Sequence, residues 1–152
     1  MELLKKILIF IFLFTNIAKA DFILPNANFE PFDVIKIQLD ALKNNNQPEK
    51  DNGIEQTWIF AHPINKIYTG PLERFKVMLR SESYKHLINH QSHEIKLIDY
   101  KEDKYIYDVI ILSDKKTIYS FNWILEKGDE KNCSNCWFTS SVSRPVNMGN
   151  SI

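Results

Sequence analysis

Four histidines and two cysteines have the widest chemical reach of any residues in this 152-residue chain. His86, His90 and His93 are spaced i, i+4, i+7. On a continuous helix they share a face, and three imidazoles so placed can hold a divalent metal. In an extended segment His86 and His90 point opposite to His93, and the site vanishes. Asn89 and Ser92 disfavour an unbroken helix, so hydrogen-bonding histidines are expected and no metal is assigned. His62 stands just before Pro63, near the expected C-terminus of a helix. An imidazolium there caps the last carbonyls and suits the helix dipole. Its sharper reading is a general acid–base group in a pocket, with Asp108 or Tyr119 beside it.

The cysteines stand in Cys133-Ser-Asn-Cys136. In an exported protein such a pair is expected as a disulfide. Its loop is short, so it constrains the unfolded chain by only about 2 kcal/mol. Haem attachment requires a histidine where Trp137 stands. A zinc site requires two further ligands, and no second cysteine pair exists. A redox pair favours the start of a helix, whereas Trp137-Phe138-Thr139 reads as a strand. No Gly-x-Ser-x-Gly elbow or phosphate-cradling glycine loop is present, and no cofactor is expected.

The elements that must position these groups begin after residue 20. Lys5 and Lys6, the apolar run Ile7 to Phe14, and Ala18-Lys19-Ala20 have the three-part layout of a secretory leader. Cleavage after Ala20 is expected, which places the protein in the periplasm or outside the cell. Removing Lys5, Lys6, Lys19 and Glu2 from the 19 basic and 19 acidic residues leaves 16 and 18, a net charge of −2. A basic surface for nucleic acid is therefore not expected, nor is a membrane span in the mature chain.

Residues 21–29 read as an extended lead-in. From Pro31, Phe32, Ile35, Leu39 and Leu42 fall at helical spacing, with Val34, Ile37 and Ala41 widening the face. A second helix is expected from Gly53 to His62, with Ile54, Trp58 and Ala61 turned inward. Pro63 stops it, and Gly70-Pro71 opens a third helix running to about Ser81. The stretch between is expected as a polar connection at the surface. From Glu94 the period changes to two. Strands are expected from Glu94, over Tyr105–Leu112, over Thr117–Leu125 and over Trp137–Arg144. On the third of these, Tyr119, Phe121, Trp123 and Leu125 share one face. The polar stretch Glu126 to Asn132 reads as a turn. The folded domain spans 30–146, and 147–152 is expected to fray. Helices first and then an antiparallel meander is an α+β order.

Gln38-Leu-Asp-Ala-Leu42, Gly53-Ile54, Thr57-Trp58, Phe60-Ala-His-Pro63, Thr69-Gly-Pro-Leu72, Arg74-Phe75 and Met78-Leu79 carry a family resemblance. Tyr84, Asn89-His90, His93, Phe121-Asn-Trp123 and Cys136-Trp137 extend it. Over roughly Glu30 to Gly149 the chain resembles the family numbered 4864 among domains of unknown function, which has no assigned activity. The resemblance implies an NTF2-like cone: N-terminal helices packed in a curved four-stranded antiparallel sheet, with a pocket between them. Such a pocket takes a small apolar or amphipathic molecule, and the fold also serves protein partners. His62, Asn65, Thr69, Tyr84, His90 and Trp123 are the candidate ligand-binding residues. The alternative is a cofactor-free lyase or isomerase with His62 as acid–base group. A third reading is a homodimer built on the outer sheet face, through Ile106, Ile110, Leu112, Ile118 and Ile124.

Overall fold

Residues 21–151 are described by a computed structural model; the expected leader, 1–20, lies outside the described residues. The lead-in, residues 21–29, is irregular and turns at Ala27–Asn28, where Phe29 N–H donates to the Asn26 carbonyl at 3.2 Å. Ile23 N–H donates to Gln56 Oε1, and Gln56 Nε2 donates to the Ile23 carbonyl, both at 2.8 Å. Pro31 opens α1 (Pro31–Lys43), where its fixed φ suits the first turn. The Asp33 carboxylate accepts from Glu30 N–H at 2.9 Å. Val34, Ile35, Gln38, Leu39 and Leu42 are buried. The buried stripe is rotated from the expected one: Phe32 is 45% exposed, and the polar Gln38 takes an inner place.

α2 (Asn52–Ile59) crosses α1 closely. A Cβ on Gly53 would lie 2.1 Å from the Ala41 carbonyl oxygen, so the crossing requires glycine. The expected surface connection is itself a helix, α3 (Pro63–Thr69). Pro63 both ends the preceding segment and opens α3, where its missing donor costs nothing. α4 (Leu72–Leu79) follows, with Phe75 and Leu79 buried. Lys76 to Glu55, at 2.8 Å, and Arg80 to Asp51 tie α4 to α2. Trp58 is half-buried rather than inside the core with Ile54 and Ala61. Its ring packs on Phe75 at a centroid distance of 5.0 Å, and Gly70 lies against it. The extra helix lies where Trp58 projects and covers only part of the ring.

β1 (Ser92–Lys101), β2 (Lys104–Leu112), β3 (Thr117–Glu130) and β4 (Cys133–Val142) form a curved, unclosed antiparallel sheet in that order. The tail expected to fray is a fifth strand, β5 (Val146–Asn150), paired with the first residues of β3. Pro145 breaks the chain between β4 and β5, and the ladder resumes at once. The expected turn from Glu126 is mostly strand, since β3 runs to Glu130. Cys133 and Cys136 therefore lie within β4, at a bulge opposite Gly128–Glu130. They are joined by a disulfide, with Cα atoms 6.0 Å apart. The Asp129 carboxylate accepts from Ser134 Oγ at 2.8 Å and from Asn135 N–H at 2.7 Å, which fixes this bulge.

The core lies between α1 and the sheet. Tyr107, Val109 and Ile111 of β2 and Phe121, Trp123 and Leu125 of β3 are buried with the apolar stripe of α1. Tyr119, expected on that face, is half-buried. The opposite face carries Ile106, Ile110, Leu112, Ile118 and Ile124, all partly exposed. At the outer side of β4, Thr139 N–H donates to the Phe60 carbonyl and His62 N–H to the Thr139 carbonyl, each at 2.8 Å. This parallel pairing joins the helical half to the sheet. Among the described residues no helix is long and apolar enough to cross a membrane.

Candidate functional site

Gln38 projects from the inner face of α1 toward Thr139 of β4, and the two begin a buried polar chain. Trp123 Nε1–H donates to Thr139 Oγ1 at 2.9 Å. Thr139 Oγ1 donates to Gln38 Oε1 at 2.5 Å, and Gln38 Nε2 donates to the Thr57 carbonyl at 3.0 Å. Thr57 Oγ1 donates in turn to the Gly53 carbonyl at 2.8 Å. All four side chains are buried, so each of these bonds satisfies a group that would otherwise cost about 1–3 kcal/mol. The chain links α1, α2, β3 and β4 at the floor of one cavity.

That cavity has a volume of about 230 Å³. Leu42, Leu87, Leu79, Phe75 and Trp123 supply its buried apolar wall. Asn65 and Thr69 of α3, Tyr84, and Ser141 of β4 stand toward its open end, where exposure rises. Tyr84 O–H donates to the Val142 carbonyl at 3.1 Å, and Thr69 Oγ1 to the Asn65 carbonyl at 2.9 Å. The Asn65 side-chain amide and the Ser141 hydroxyl have no hydrogen-bond partner among the described residues. Among the described residues, Tyr84 alone of the lining side chains carries a titratable group.

Four of the six candidates named from the sequence, Asn65, Thr69, Tyr84 and Trp123, therefore meet at one cavity. His62 and His90 stand elsewhere. His62 is the N-cap of α3, not a C-terminal cap of α2. Its Nδ1 accepts from Ile64 N–H at 3.2 Å, so that nitrogen carries no proton. Nε2–H then donates to the Lys127 carbonyl at 3.2 Å. Gly128 packs against the ring so closely that a Cβ would come within 2.7 Å of Nε2. Neither suggested partner is bonded to this ring: Asp108 accepts from Ser120 Oγ on the outer sheet face, and Tyr119 stacks on His86 with centroids 4.0 Å apart.

The three spaced histidines are also separated. A 3-10 turn over Lys85–Leu87 is followed by a turn at Ile88–Asn89, with Asn89 at φ 54°, before β1 begins, and His86 stacks on Tyr119. His90 is 2% exposed, and burial pushes its pKa down to about 4. Its Nδ1–H donates to the Leu87 carbonyl at 2.7 Å. Nε2 of this neutral ring then accepts from His93 Nδ1 at 2.8 Å. His93 Nε2 lies 3.6 Å from the Asp40 carboxylate, and burial lowers the pKa of this ring too. The pair ties the 3-10 turn at Leu87 to the start of β1. Among the described residues no group of three or more histidine, cysteine or acidic side chains is arranged to hold a metal ion.

Gln38, Thr57 and Thr139 were not singled out from the sequence as site residues. The one signal was Gln38 itself, a long polar side chain on a helix stripe otherwise filled by Val34, Ile35, Leu39 and Leu42. No family model, curated protein or solved structure matches the chain.

Proposed function

We propose that this is an exported, NTF2-like domain that binds a small uncharged molecule in the cavity between α1, α3, α4 and the sheet. The observation that carries the reading is the cavity itself. It brings Asn65, Thr69, Tyr84 and Trp123 around about 230 Å³ of space with an apolar wall and unpartnered polar groups toward the open end. Few precisely aimed polar groups in a mostly apolar hollow are the usual make-up of a small-molecule site. Export rests on the leader pattern of residues 1–20 and on the Cys133–Cys136 disulfide. The alternative of acid–base catalysis by His62 finds no support in the geometry, because both ring nitrogens are already bonded to the backbone.

Native mass spectrometry of gently purified mature protein tests the reading. A retained small neutral molecule, lost from a variant in which Leu42→Trp fills the cavity, is the expected result. Equal retention by both proteins overturns it.

A second reading has its own observation. Ile106, Ile110, Leu112, Ile118 and Ile124 form a partly exposed apolar stripe on the outer sheet face, suited to a second copy of the chain. Sedimentation at high concentration tests it; a monomer there removes it.

A further inference from the structure

We infer that the occupant of the cavity is an uncharged amphipathic molecule of about nine non-hydrogen atoms, held apolar end inward with an amide- or alcohol-type head against Asn65 and Ser141. This rests on the binding reading above and adds the ligand's charge, size and direction.

Size follows from volume. An apolar cavity of about 150 Å³ takes up benzene. The same proportion fits about nine non-hydrogen atoms into 230 Å³. Direction follows from which polar atoms remain free. At the floor, Trp123, Thr139, Gln38 and Thr57 are bonded to one another or to backbone. The inner end therefore offers a ligand the ring of Trp123 and the side chains of Leu42 and Leu87. At the mouth, the Asn65 amide offers a donor and an acceptor, and the Ser141 hydroxyl offers both as well. An apolar body is favoured inside and a hydrogen-bonding head outside.

Charge follows from what is missing at the mouth. Among the described residues no lysine, arginine or histidine lines the cavity. Lys66, the cation of α3, is turned away to Glu130 and the Ile59 carbonyl. On α4, Lys76 is held by Glu55 and Glu73, and the exposed Arg74 is not part of the lining. Among the described residues no carboxylate lines the cavity to receive a cationic head. A charged head would lose hydration without gaining a partner, whereas a neutral one keeps its hydrogen bonds.

Heptanamide and heptanoate test this, since they share size and shape and differ in charge. Their affinities for the mature protein are measured by calorimetry at a pH well above the carboxylate range, with toluene as a headless probe. The expected result is that toluene and heptanamide bind, and that heptanamide binds at least about tenfold tighter than heptanoate. Asn65→Ala, or Asn65→Ser if the alanine variant fails to fold, should lose most of that margin while keeping its toluene affinity. Toluene binding with heptanoate equal to heptanamide overturns the neutral-head inference and leaves the binding reading standing. An unchanged heptanamide affinity in the Asn65 variant overturns the direction of seating. Failure of both toluene and heptanamide to bind overturns the inference and the binding reading together.

Discussion

His62 and His90 each have both ring nitrogens bonded within the protein, to Ile64 and Lys127 in one case and to Leu87 and His93 in the other. Asn65 and Ser141, with far less reactive side chains, stand free toward the open end of a cavity. The contrast separates what a residue type can do from what its position leaves it free to do. The histidines hold segments together: one starts α3, and the other ties the 3-10 turn at Leu87 to the start of β1. The amide and hydroxyl at the mouth have hydrogen-bonding capacity that no partner among the described residues uses.

The sharpest way to break the contrast is at the cavity floor. Trp123→Ala removes a fully buried ring and the donor to Thr139, and should cost about 3–5 kcal/mol in denaturant unfolding. A loss below about 1 kcal/mol would mean that the floor is not the packed, satisfied layer described above.

Acid should expose the structural role of His90. Its pKa is about 4 in the fold and about 6.5 when unfolded. Between those values the unfolded chain binds more protons, so stability is full above about 6.5 and falls as pH drops toward 4. The loss attributable to this ring reaches at most about 3 kcal/mol. Unfolding midpoints across that window should slope in the native protein and flatten in His90→Gln. The same slope in both proteins would transfer the effect to other groups.

His62→Ala removes an N-cap and should cost about 1–2 kcal/mol while leaving heptanamide affinity unchanged. A collapse of affinity with intact stability would return His62 to the list of ligand contacts. The smallest stability effect belongs to Asn65→Ala, expected within about 0.5 kcal/mol, because its half-exposed amide has no hydrogen-bond partner among the described residues. Thermal melts of the two variants side by side put the comparison in one experiment.

Periodicity carried the sequence reading wherever one residue type dominated a face. Pro31 and the apolar spacing after it located α1, and the alternation through Phe121, Trp123 and Leu125 identified the buried face of β3. It failed where a single residue had two uses. Pro63 ends one helical segment but equally begins another, and only the His62 cap decides between them. Glu126, Lys127 and Glu130 are polar enough for a turn, yet they extend β3 because β4 pairs with them. Val146 to Asn150 has no strand pattern of its own; the free first half of β3 supplies a partner. Of the site, the polar residues of α3 and the aromatic Tyr84 and Trp123 could be picked by type. The buried chain through Gln38 could not, because it joins residues a hundred positions apart in sequence: Gln38 to Thr139 spans 101.

The backbone pairing of Phe60 and His62 with Thr139 also bears on which sheet edge is left open. An exposed sheet edge is a template onto which another chain can add a strand, and through which chains can polymerise. Here the outer side of β4 already has its exposed amide and carbonyl at Thr139 engaged by the chain's own segment. The other long edge, β1, is interrupted by a register shift between Leu97 and Asp99 and is flanked by Glu94, Lys96 and Lys101. The β4 edge is thus engaged at Thr139, whereas β1 presents the exposed Leu97, Ile98 and Tyr100 beside its charged residues and is the edge more open to another strand.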